Sequence, residues 1–168
     1  DGDGAPGDGD GDGDAVTCAP VAVDSPIRRL TRREYNWVIA DLFNDESEPA
    51  KGFVPEETAL NFDNIAANLW VSQILSEQYM EAAEQVAENA VADLDALLPC
   101  APSIVGEDAC AAQLIGELGA RAYRRPLTAD EQTRLEALFT AVRDDEQSFE
   151  GGVAAVIEAL LQSPNFLY

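Results

Sequence analysis

The sequence predicts an all-α fold, with five main helices in one or two small helical bundles preceded by an acidic Asp/Gly tail. Three observations predict it. Apolar residues recur at spacings of three and four through most of residues 31–161. No window alternates convincingly with period two. Ser and Thr residues stand where helices would begin, two of them with Glu three positions on. Apolar residues make up 46% of 168, enough for one compact core or two small ones.

The chain opens on DGDGAPGDGDGDGD, whose six Asp and six Gly leave no side chain to build a core. Residues 1–26 therefore read as an acidic tail and linker, with Pro20 and Pro26 in its later part. One reading is a solvated spacer. The other is calcium: Asp8, Asp10, Asp12 and Gly13 match the first half of an EF-hand loop, D-x-D-x-D-G. The match fails at Ala19, where a bidentate Glu belongs, which leaves only a looser calcium site. No signal peptide precedes the repeats, so the chain reads as mature, trimmed or a fragment. A tail of this kind suits a spacer behind a lipid anchor upstream.

A first helix starts at Thr31, whose capping-box partner is Glu34. Tyr35, Val38, Ile39, Leu42 and Phe43 form its apolar stripe, and it ends near Asn44. Pro49, Gly52 and Pro55 break residues 45–71, where Phe53, Phe62, Leu69 and Trp70 are expected on the core and a helical turn near Ile65–Leu69. Ser72 opens the longest helix, in register from Ile74 through Tyr79 and Val86 to Leu98, with Pro99 stopping it. A third helix is expected from about Glu107 to Tyr123, ended by Pro126. Thr128 and Glu131 make a second capping box for a helix burying Leu135, Leu138, Phe139 and Val142. Ser148 caps the last, with Val153, Val156, Ile157, Leu160 and Leu161 inward. The chain then divides into the tail, a first helical domain (27–98), and a second with the start of a following segment (99–168).

Charge excludes several functions. Ten basic against 32 acidic residues give −22, which argues against nucleic acid and anionic membranes as partners. The absence of histidine removes Ser-His-Asp and Cys-His catalysis, His-bearing zinc sites and CxxCH haem attachment. No apolar run approaches the roughly 20 residues of a membrane-spanning helix. Paired carboxylates such as Glu56/Glu57 and Asp144/Asp145 are too common here to single out an acid–base pair, and Met80 reads as packing or surface.

Cys100 and Cys110 bracket a step containing Pro99, Pro102 and Gly106 between two helices, where a disulfide is expected and two reduced thiols are the alternative. Cys18 is left over. A disulfide implies an extracytoplasmic setting: periplasmic, cell-surface or secreted. Seven of the ten basic residues fall in two groups, Arg28, Arg29, Arg32, Arg33 and Arg121, Arg124, Arg125. Pairing with Glu34, Asp41, Asp63 or Asp130 is one reading; the second group as an anion or polyanionic-glycan site is the other. Trp37 lies off the apolar stripe, as an exposed binding residue would. The C-terminal stretch SPNFLY is apolar enough that Phe166, Leu167 and Tyr168 are expected to dock on a partner or lead into further chain.

Four stretches together carry a resemblance: RRLTRREYNWVIADLF at 28–43, FDNIAANLWVSQILSEQYMEAAEQVA at 62–87, RAYRRPLTADEQTRLEALF at 121–139, and FEGGVAAVIEALLQSPNFLY at 149–168. They resemble the large secreted multidomain proteins of planctomycetes and myxobacteria built from planctomycete-type domains of unknown function, often joined to c-type cytochrome modules. The resemblance implies export and other protein domains or subunits as partners. It transfers no cofactor to this chain, haem belonging to downstream modules, and no catalytic residue. The first functional expectation is a non-catalytic helical scaffold or partner-docking module. The alternatives are one wall of an active site in a larger haem-associated oxidoreductase or polysaccharide-acting enzyme, and calcium-dependent surface or filament assembly through the tail.

Overall fold

The computed structural model describes residues 26–58 and 61–168. The expected Asp8–Asp10–Asp12 calcium site, the acidic tail and Cys18 lie outside them. Among the described residues the fold is helical throughout: α1 (Arg32–Phe43), α2 (Gln73–Ala92), α3 (Leu94–Leu97), α4 (Pro102–Val105), α5 (Glu107–Ala122), α6 (Ala129–Glu146), α7 (Phe149–Leu161) and α8 (Pro164–Leu167). Two 3₁₀ turns, Pro49–Gly52 and Ala66–Asn68, interrupt the α1–α2 connection.

Local chemistry sets most boundaries. Thr31 and Glu34 form a complete capping box at α1, and Thr128 and Glu131 form another at α6. Ser72 and Ser148 cap α2 and α7 through their hydroxyls. Asn44 ends α1 in the left-handed region, which Asn tolerates well. The long helix expected from Ser72 to Leu98 is two helices. The α2 register breaks at Asp93, and α3 adds one turn before Pro99. Gly106, at φ 92°, lets the chain turn from α4 into α5.

α7 is the central helix. It packs against both α2 and α6, with α5 beyond α6 and also touching α7. Gly152 lets α7 approach α6 closely, since a Cβ there would lie 2.7 Å from the Phe139 ring and 3.0 Å from the Phe139 carbonyl. Val153, Val156, Ile157, Leu160 and Leu161 are all buried. One hydrophobic core runs from Tyr35 and Ile39 of α1, through Val86 of α2 and Ile115 of α5, to Phe166 of α8.

Two expectations about the core are corrected. Phe166 is fully buried and Leu167 nearly so; only Tyr168 of the terminal trio is exposed. Their apolar surface docks on the chain's own core instead of on a partner, because the Ser163 cap turns α8 inward toward Tyr35. Conversely, Phe53 and Leu69 are buried, but Phe62 and Trp70 are 61% and 62% exposed. Ile74, at the solvent side of the first turn of α2, is also exposed.

Cys100 and Cys110 are joined in a disulfide, with Cα atoms 5.6 Å apart. The bridge ties the loop before α4 to Cys110, the buried residue in the first turn of α5. Its reduction should lower unfolding free energy by about 2–3 kcal/mol, read from urea midpoints with and without reductant. Phe166→Ala should cost about 3–5 kcal/mol in the same measurement, whereas Trp37→Ala, on the surface, should change it by less than about 0.5 kcal/mol.

Candidate functional site

The sequence places most of its arginines at helix ends, and the structure brings Arg124 to the junction where the first and last parts of the chain meet. Leu30 donates its N–H to the Leu167 carbonyl at 2.8 Å. Arg124, itself left-handed at φ 56°, donates both terminal nitrogens to the Phe166 carbonyl at 3.1 Å, and its guanidinium lies 5.9 Å from the Phe166 ring centroid. These donors satisfy the last carbonyls of α8, which have no intrahelical partner. Beneath them Tyr35, Phe53, Tyr79 and Phe166 form an aromatic cluster with centroids 5.1–5.6 Å apart, mostly edge to face. Burial raises the phenol pKa of both Tyr35 and Tyr79. The Tyr35 hydroxyl is buried without a hydrogen-bond partner.

Two arginines follow a repeated local device. Arg28 stands three residues before the cap Thr31, and Arg125 three before the cap Thr128. Each clasps the capping-box glutamate with two hydrogen bonds: Arg28 to Glu34 at 2.7 and 2.7 Å, Arg125 to Glu131 at 2.8 and 2.7 Å. The same glutamates accept from the Thr31 and Thr128 backbone N–H at 2.9 and 2.8 Å. The Arg28 guanidinium, with the Thr31 donors, holds Glu34 down at about 2, and Arg125 with Thr128 does the same for Glu131.

The remaining cations are mostly engaged too. Arg32 binds Glu56 through its side chain at 2.9 Å and its backbone N–H at 2.7 Å. Arg121 reaches the Asp41 carbonyl at 2.6 Å and its carboxylate at 3.3 Å, joining α5 to the end of α1. Arg143 pairs with Asp108 and with Asp144. Arg121, Arg124 and Arg125, expected as an anion site, are each engaged within the chain. All three guanidiniums are directed onto Asp41, Phe166 and Glu131 of the chain itself. Of the acidic partners expected for the arginines, Glu34 and Asp41 are used; Asp130 gives way to its neighbour Glu131, which faces Arg125 from the N3 position.

Trp37 is 62% exposed, as its place off the α1 stripe predicts. Arg33 stacks over it at 5.2 Å. Together with Asn36, Lys51 and Asp63 they line a shallow groove of about 360 Å³. The groove holds an aromatic face and both signs of charge, but no buried, partnerless carboxylate. Among the described residues no group of His, Cys, Asp and Glu is arranged to hold a metal ion, and no helix is long and apolar enough to cross a membrane.

The fold and this junction define a helical assembly in which an N-terminal and a C-terminal segment share one core. Residues 28–92 match the family model PSD3, a protein of unknown function (DUF1587), and residues 110–168 match PSD5, a protein of unknown function (DUF1595). Both are planctomycete-type domains of unknown function, matched here one after the other. No curated protein and no solved structure matches it.

The two clasped glutamates give a pH prediction. A carboxylate whose folded pKa is depressed adds stability that is fully present above its unfolded value and lost as pH falls through the folded one. Here that window runs from 4.5 down to about 2. The double variant R28Q/R125Q should therefore lose less stability than the parent across this interval, measured as the change in urea midpoint with pH.

Proposed function

We propose that the chain is a non-catalytic helical scaffold and partner-docking module of an exported multidomain protein. One observation carries the reading: the charged groups that could converge on a substrate are turned inward onto helix ends, caps and carbonyls of the same chain. What this arrangement supports is geometry, the holding of two segments together, more than chemistry on a bound molecule. The Cys100–Cys110 bridge supports an extracytoplasmic setting, where disulfides persist. Docking falls to the exposed aromatics, with the Trp37 groove as the leading surface, since Phe166 and Leu167 are occupied internally. Its partners are other protein domains or subunits. Trp and Arg in contact are the residue types that anchor protein interfaces.

Lys51 offers a direct test. It is the single lysine of the chain and lines the Trp37 groove. Amine-reactive labelling of Lys51 should fall several-fold in the full-length polypeptide or its native complex relative to the isolated chain, and W37A should restore it. Equal labelling in both settings, or substrate turnover by the isolated chain, would overturn the reading.

A further inference from the structure

Seven of the nine arginines donate to an acceptor on the chain itself. Among the described residues Arg33 and Arg134 have no such acceptor, and of these two only Arg33 is held in place. It lies exposed in the first turn of α1, with its guanidinium 5.2 Å from the ring centroid of Trp37, one helical turn on. Stacking engages the flat face of a guanidinium. Its N–H edge stays free to make two parallel hydrogen bonds. An arginine held on an indole also has less side-chain freedom left to lose on binding than one loose in water.

Arg33 and Trp37 both line the groove, so the free donors and the indole belong to one surface. Three acidic residues line it too, and each has a cation of the chain beside it. Glu56 holds Arg32 at 2.9 Å, Glu48 lies 3.4 Å from the Lys51 ammonium, and Asp63 is close enough to Arg28 to help raise its pKa. The charge left unanswered in the groove is the Arg33 guanidinium, in a chain whose net charge is −22. A run of acids on a partner would meet Glu48, Glu56 and Asp63. A single carboxylate need meet only Arg33.

We propose, on the docking reading above, that the protein segment seated in this groove carries one Asp or Glu beside an apolar residue. The carboxylate takes the Arg33 fork, and the apolar side chain rests on the part of Trp37 that Arg33 leaves open.

The test uses the full-length polypeptide or its native complex carrying R33K, which keeps the charge and puts a primary amine where the fork stood. Carbodiimide coupling should join position 33 to an Asp or Glu outside residues 1–168, identified by mass spectrometry of the cross-linked peptides. Adding W37A to R33K should reduce that yield several-fold. In parallel, R33Q should weaken the hold on the partner about tenfold, the loss of a charge-assisted hydrogen bond. It is read as Lys51 labelling that rises towards the rate of the isolated chain with the same substitution. Neither change at Arg33 should move the urea midpoint, because the side chain is exposed. A cross-link confined to residues 1–168, no cross-link, or R33Q that protects Lys51 as well as the parent would each overturn the proposal. If W37A still abolishes Lys51 protection in those cases, docking at the groove stands and its carboxylate chemistry alone falls. Equal Lys51 labelling of the parent chain with and without its partner removes both.

Discussion

The insertion of Phe166 into the Tyr35–Phe53–Tyr79 cluster is the contact on which the rest of the structure depends. Its ring meets Tyr35 edge to face at 5.6 Å, and the carbonyl beside it is held by Arg124. Without that plug, α8 keeps only Leu167 and its contact with α7 to hold it, and the aromatic floor opens to water. The cluster draws one ring from α1, one from the loop, one from α2 and one from α8. Edge-to-face geometry makes it more selective than area alone, since each ring must present its rim to another's face.

Around this plug the arginines act as fasteners. In the run R-x-L-T-x-x-E, which occurs at 28–34 and again at 125–131, one glutamate takes donors from its own cap and from an arginine outside the helix. The helix start is thereby fixed together with the chain that enters it. Arg suits the role because its planar fork gives two parallel hydrogen bonds to a carboxylate, which a lysine cannot. Among the described residues most carboxylates are exposed or only partly buried. On α7, the carboxyl pKa of half-buried Glu158 is pushed up by burial and by nearby Glu84, Glu146 and Glu88.

The helices were legible because their signals are local. Caps, breakers and apolar spacing placed both ends of α1 and α5, and the starts of α6 and α7, within a residue or so. The disulfide was legible from a turn-rich step between two cysteines. What escaped was tertiary. Nothing in the spacing of Phe62 or Trp70 distinguishes an aromatic that faces solvent from one that packs, because in irregular segments no period fixes the face. Phe166 and Leu167 looked unpartnered because the aromatic floor that receives them, Tyr35, Phe53 and Tyr79, lies far back along the chain. The break at Asp93 separates two stretches that each keep the apolar register, so periodicity ran straight through it. The arginine clasps had a readable trace, the duplicated R-x-L-T-x-x-E, which gains its meaning once the arginine is placed beside the capping glutamate.

The short distance between Leu30 and Leu167 also shapes what lies on either side of the fold. A polypeptide passing through this unit enters and leaves at one pole. The bundle therefore sits to the side of the path like a knot in a cord, adding bulk and grip while contributing almost no span.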